Sequence, residues 1–145
     1  MENNLYLIAQ IGESYVAISS AHVESVVHIQ NITAIPRVTP LVAGLVSLRS
    51  QVLTLIDTQY LITGEAQQVK IGALAIAATI MGHPYGLLVD HVNDVIEITK
   101  DKIINDFTIR GQWADYCNAI AELDDKMILI IDPSALVSQR NSIAA

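Results

Sequence analysis

A chain of 145 residues that is 52% hydrophobic and 16% charged has ample apolar surface for one packed domain and too little charge for disorder. Its formal net charge of −7, with no Lys/Arg cluster, excludes the positive field that nucleic acid or an anionic membrane surface requires. The lone Cys117 permits no internal disulfide, the start MENNLYL lacks the basic and apolar regions of a signal peptide, and the longest apolar run, 71–81, is too short for a bilayer, so a soluble cytoplasmic protein is expected.

Short runs of Val, Ile and Leu bounded by turn residues predict strands along most of the chain. The first pair lies in YLIAQIGESYVAI, with Gly12-Glu13-Ser14 as its hairpin turn. Ser19-Ser20 can cap a short helix over 21–26. Pro36 and Pro40 mark an irregular link. LVSLRSQVLTLID, 45–57, has the look of a buried sheet with Arg49 near its centre; the residues alone favour a strand-end cation that snorkels to water. The polar stretch 63–70 is a loop, after which ALAIAATIMGHPYGLLV repeats the strand, Gly turn and strand, with the turn at Gly82-His83-Pro84. Asp124-Asp125-Lys126 forms a tight turn between AIAEL and MILII. Asp132-Pro133, a cap followed by Pro at the first helical position, predicts a short helix from 133 towards 138, and the tail from Arg140 is frayed.

The pieces recur in the same order. HVESVVHI (22–29) aligns with HVNDVIEI (91–98) at four identities in eight, and VLTLIDTQYLI (52–62) aligns with MILIIDPSALV (127–137), matching Asp57 with Asp132. A single domain over 1–145 is expected, built from two related β units, 5–65 and 70–137, that can exchange terminal strands, with 138–145 as a tail.

Catalytic constellations are scarce. LIDT resembles the strand-end Asp-Thr of aspartic proteases, but Gln59 replaces the Gly that their turn needs and Pro133 follows Asp132. Capping of the backbone after each strand explains both aspartates. His22, His28, His83 and His91 have no zinc-type spacing, and Cys117 has no neighbouring His, so no metal site is expected and the thiol is structural. Trp113 and Tyr116 are expected to be partly buried against the second unit, with an interface anchor as the alternative. A binding module without cofactor is favoured over an enzyme.

The ordered segments YVAI…HVESVVHI…IPRVTPLVAGLVSLRSQVLTLIDTQYLI…YGLLVDHVNDVIEI…IAELDDKMILIIDPSAL resemble the chemotaxis coupling proteins, the CheW family, over nearly the whole chain. Gly44, Ser47-Leu48-Arg49-Ser50 and Asp57 stand where that family has a Gly, an Asn-Leu-Arg-Gly-like turn and a strand-ending Asp. The stretch from Val89 to Val95 stands for its Val-Asp-Gly-Val-x-Asp-Val. The resemblance implies a mainly β fold of two five-stranded SH3-like β-barrels packed together, with short helices including one near the C-terminus. It implies a non-catalytic scaffold, free of cofactors, joining the cytoplasmic tip of a methyl-accepting chemoreceptor to the regulatory domain of a chemotaxis histidine kinase in receptor arrays. Val23, Arg49, Gly86 and Val92 match receptor-binding positions, and the kinase-facing surface falls on the first barrel near 36–44.

In that family the cation pairs with a Glu on the preceding short helix. Here Ser25 stands at that place, which leaves Glu24 as the favoured partner of Arg49 and Asp94, which matches Ser25 in the repeat, as the second. Ser47, Ser50 and His91 also depart from the family pattern. The alternatives are an adaptor for another sensory kinase, a kinase competitor and, more distantly, an aspartic-type hydrolase.

Overall fold

The computed structural model describes residues 4–33, 42–63, 65, 68–104, 117–131 and 135, and the side chains within these except for 61–63 and 118. The first half holds β1 (Leu5–Ile11), β2 (Ser14–Ser19), β3 (Val23–His28), β4 (Val42–Leu48), β5 (Gln51–Ile56) and the helix α1 (Thr58–Thr63). The second holds β6 (Leu74–Ile80), β7 (His83–Val89), β8 (His91–Glu97), β9 (Ile103–Ile104), β10 (Cys117–Leu123) and β11 (Lys126–Ile131).

The mainly β fold agrees with the expectation. Its strands form a six-stranded sheet in the order β8-β1-β2-β11-β10-β9 and a five-stranded sheet in the order β3-β6-β7-β5-β4. Each order has two free ends, so among the described residues neither sheet closes into the expected barrel. Each sheet also draws on both halves: hairpin β1–β2 lies between β8 and β11, and hairpin β6–β7 lies between β3 and β5. The two crossings share one register. In the parallel pair of β5 and β7, Thr54 opposes Tyr85; in that of β11 and β2, Leu129 opposes Val16.

Alternation along the strands explains why the sequence is so apolar. On β6, Ile76, Ala78 and Ile80 point into a core shared by both sheets, with Leu7, Val16, Ile56, Leu87 and Ile131. The intervening Ala75 and Ala77 point to a separate cluster behind the five-stranded sheet, around Leu53 and Leu55. Ile8 and Ala17 do the same for the six-stranded sheet, with Ile128 and Ile130. Central strands are thus buried on both faces and read as continuous hydrophobic runs.

The helix expected over 21–26 is a single 3-10 turn, Ser20–His22, capped by Ser19 Oγ on the Ala21 N–H. Val23, Val26 and Val27 then run as a strand, because β-branched side chains gain from pairing with β6. Asp124-Asp125 makes its tight turn with both residues at positive φ, whereas the β6–β7 turn is Met81-Gly82, one residue earlier than the Gly-His-Pro reading. The helix α1 was not anticipated, although Asp57 signals it: the buried carboxylate accepts the Tyr60 N–H at 3.2 Å, as a cap does. Of the helix expected over 133–138 only residue 135 is described, and it is helical; Asp132, the Pro36 to Pro40 link, Trp113, Tyr116 and the tail lie outside the described residues.

Candidate functional site

Leu48 ends one strand and Gln51 begins the next, so Arg49-Ser50 is a two-residue hairpin tip. Arg49 sits there exposed, with φ of 58°. The apolar run from Leu45 to Ile56 is therefore two antiparallel strands, and its cation faces solvent, as a strand-end reading requires.

Between this tip and the free edge of β3 opens a groove of about 440 Å³. Its lining is mixed: Val26, Leu48, Leu53, Ala77 and Pro84 stand beside Glu24, Arg49, Gln51 and Thr79. The expected Arg49–Glu24 pair is not formed. The Glu24 carboxylate instead accepts a hydrogen bond of 3.0 Å from the Thr79 hydroxyl across the β3–β6 ladder, and among the described residues no carboxylate pairs with Arg49. Glu24 lies on strand β3 and not on the short helix expected over 21–26. On the other side of Arg49 a cleft of about 360 Å³ is lined by Val27, His28, Asn31 and Val46. There Asn31 clamps the edge of β4 by donating to Ser47 O at 3.3 Å and accepting from Ser47 N at 3.1 Å.

The internal repeat places a second groove, of about 230 Å³, at the equivalent position of the six-stranded sheet. Asp124 takes the place of Arg49, and Asp94 and Glu97 come from β8, the counterpart of β3. Asp94 thus serves this groove and not Arg49. The cation here, Lys126, is tethered: its Nζ lies 3.2 Å from Tyr15 Oη and 4.6 Å from the ring centroid. The two grooves are built from equivalent strands, but the first holds one acid and one cation, Glu24 and Arg49, and the second holds Asp94, Glu97 and Asp124 with Lys126.

Val23 and Val92 occupy matching places on β3 and β8, and both pack half-buried against the shared core. The burial patterns of the two strands agree over their common length, down to the fully buried Ile29 and Ile98 that follow them. Gly86 is buried in β7 beside Leu55 of β5, where an added Cβ would lie 3.1 Å from Leu55 Cδ1. None of Val23, Gly86 and Val92 lines the Arg49 groove. Thr79 and Asn31 were missed by the sequence reading, because nothing in a Thr on a strand or an Asn in a loop announces a long-range partner. The repeat did hold a signal for Arg49, since it aligns the tip with Asp124-Asp125, whose turn chemistry is plain.

Other chemistry is sparse. Among the described residues no group of three or more His, Cys, Asp or Glu is placed to hold a metal ion. Burial pushes the Cys117 thiol up to about 12, which keeps it protonated and inert. No helix among the described residues is long and apolar enough to cross a membrane.

Residues 5–141 match the family model described as the CheW-like domain. The chain is 29% identical over 114 residues to the probable chemotaxis protein CheW of Rhizobium etli, covering 78% of this chain and 74% of that protein. It is 28% identical over 144 residues to the chemotaxis protein CheW of Bacillus subtilis, covering 92% and 86%. The crystal structure of the scaffolding protein TtCheW from Thermoanaerobacter tengcongensis superposes with a TM-score of 0.81 at 27% identity, covering 93% of this chain and 92% of that one. A match across nearly the whole length, in sequence and in fold together, places the chain in the CheW-like domain family.

Proposed function

We propose that the protein is a non-catalytic chemotaxis scaffold that couples chemoreceptors to a histidine kinase in the cytoplasm. The observation that carries this is the agreement of family, relatives and fold over almost the entire chain. In this reading each sheet is the described part of an SH3-like barrel. The cluster behind each sheet is the barrel interior, and the bridge from Thr33 to Leu45 helps draw β4 towards β3. A receptor helix docks along the face that Val23 and Val92 share, next to the Arg49 groove, while Gly86 keeps the underlying sheet thin enough for Leu55 to pack. The kinase regulatory domain takes another surface of the first barrel, towards 36–44.

Affinity capture with the tagged full chain tests this. The cognate kinase regulatory domain and a soluble cytoplasmic-tip fragment of the cognate receptor should both be retained, separately and together. Retention of the kinase alone would turn the reading to a competitor or an adaptor without a receptor. Retention of neither would end it.

A further inference from the structure

We propose that a cavity at the seam of the two halves binds a free α-amino acid with a short apolar side chain, held by Lys70 through its carboxylate and by Asp90 through its ammonium group. Such a site differs in kind from the protein contacts above and gives the scaffold a small-molecule ligand.

The cavity measures about 190 Å³ and is walled by both halves. Ile11 at the end of β1 and Thr58 at the start of α1 come from the first half. The stretch 68–70, which leads into β6, and the end of β7 with Asp90 close the other side. Clefts between structural units are where small ligands sit. These walls are pinned. The Thr58 hydroxyl donates to Leu88 O, Asp90 N donates to Gln10 O at 2.8 Å, and Asp90 Oδ2 accepts from Gly12 N at 2.5 Å. Two residues past Lys70, Gly72 N donates to Ile29 O at 2.7 Å. A ligand entering such a frame does not have to order it, which removes one cost of binding.

The charges state what the ligand must carry. Lys70 and Asp90 are exposed and line one cavity, yet among the described residues neither forms an ion pair with the other or with any third group. Asp90 gives Oδ2 to Gly12 and keeps Oδ1 for another donor. Opposite charges that share a cavity without touching leave a gap whose two ends differ in sign. A simple anion is repelled by Asp90 and a simple amine by Lys70, whereas a zwitterion satisfies both. Gln68, whose amide has no partner among the described residues, adds a donor for the carboxylate. Ile11, Val69, Leu88 and Val89 supply the apolar wall for a side chain. Size sets the limit: at ~30 Å³ for a water-sized group, the cavity takes on the order of six to eight non-hydrogen atoms, the span from alanine to valine.

The test titrates L-alanine and L-valine into the isotope-labelled full chain and follows the amide signals of Gly12, Gly72 and Asp90 by NMR. At least one of the two should move them saturably, at a single site, with a Kd below ~10 mM. Asp90→Asn keeps an acceptor for Gly12 N, and Lys70→Gln changes an exposed side chain outside the strands, so both variants keep the fold. Each should weaken binding by about fivefold or more. The amine and the acid that match the tighter ligand are isobutylamine and isovalerate for valine, or ethylamine and propanoate for alanine. Each carries one charge only and should bind weaker by about fivefold or more. No saturable movement with a Kd below that bound, a smaller loss in either variant, or a smaller difference for either analogue would overturn the proposal. None of these outcomes bears on capture of receptor or kinase, so the coupling reading stands or falls separately.

Discussion

Gly44→Ala should destabilise the protein more than any other single-methyl addition in the first half. Gly44 is buried in β4 with φ of 157°, at the point where the register against β5 shifts. A Cβ there would lie 2.9 Å from the carbonyl oxygen of Thr33 and 3.1 Å from Cγ1 and Cδ1 of Ile32. The Ile32 side chain can turn away. The carbonyl cannot, because Thr33 O accepts from Leu45 N at 3.0 Å and Thr33 N donates to Leu45 O at 2.8 Å. Relief requires moving the Thr33 backbone off the β4 edge, which lengthens both bonds. With the two bonds lengthened and not lost, at ~0.5 kcal/mol each, and ~1–3 kcal/mol for a strained backbone, the expected loss is about 2–4 kcal/mol. Urea unfolding should show a midpoint lower by roughly 1–2 M at a slope of about 2 kcal/mol/M, and thermal unfolding a drop of roughly 5–15 °C. Gly86→Ala is the matched control: its Cβ meets only side-chain atoms, Leu55 Cδ1 at 3.1 Å and Ala75 Cβ and Leu53 Cδ1 at 3.8 Å, and Leu55 can shift. Its effect should stay within about 1 kcal/mol of zero. Equal losses for the two variants, or a Gly44→Ala loss below about 0.5 kcal/mol, would refute the claim that backbone contact decides the cost.

Asp57→Ala removes the buried cap of α1 and should cost about 1–2 kcal/mol in urea unfolding, with no effect on the fold of the sheets. Met81→Gly replaces an exposed residue at φ of 53° by the type that occupies the same turn position as Gly12, and should stabilise by about 0.5–1 kcal/mol. The Cys117 thiol, raised by burial from 9.0 to about 12, should react with a thiol reagent at pH 8 only when urea unfolds the chain. The unfolded chain loses that proton before the folded one does, so stability should fall as pH rises from 9 to 12, checked by urea melts across that window. Val92→Asp places a charge on the half-buried face that Val23 shares and should weaken receptor binding by ~1–3 kcal/mol; unchanged binding with an intact thermal transition would remove that face from the site.

The repeat carried most of what the sequence could tell about the fold. Val23 with Val92 and the turns at Gly12 and Asp124 follow from local chemistry that the strands keep. The interleaving of the halves has no local sign, because a hairpin with two apolar faces does not name its neighbours. The 3-10 turn was misread as a longer helix since Ser19-Ser20 signals a start and the Val run that overrides it gains its energy from β6, far along the chain. Arg49 was legible as a strand-end cation. The fate of its partner was not, because Glu24 is diverted by a hydrogen bond to Thr79 that only the β3–β6 register creates.

The interleaving also orders events during synthesis. Hairpin β1–β2 leaves the ribosome early, yet its outer neighbours are β8 and β11, the latter emerging last among the described strands. Until β8 emerges the hairpin has two unpaired edges, the edge of β2 then waits for β11, and β3, β4 and β5 wait for β6 and β7. Neither half can complete a sheet from its own strands, so the nascent chain has no stable halfway state to rest in. Its growing surface is a template for the wrong strand, and correct folding becomes a race between the remaining seconds of translation and adhesion to another chain.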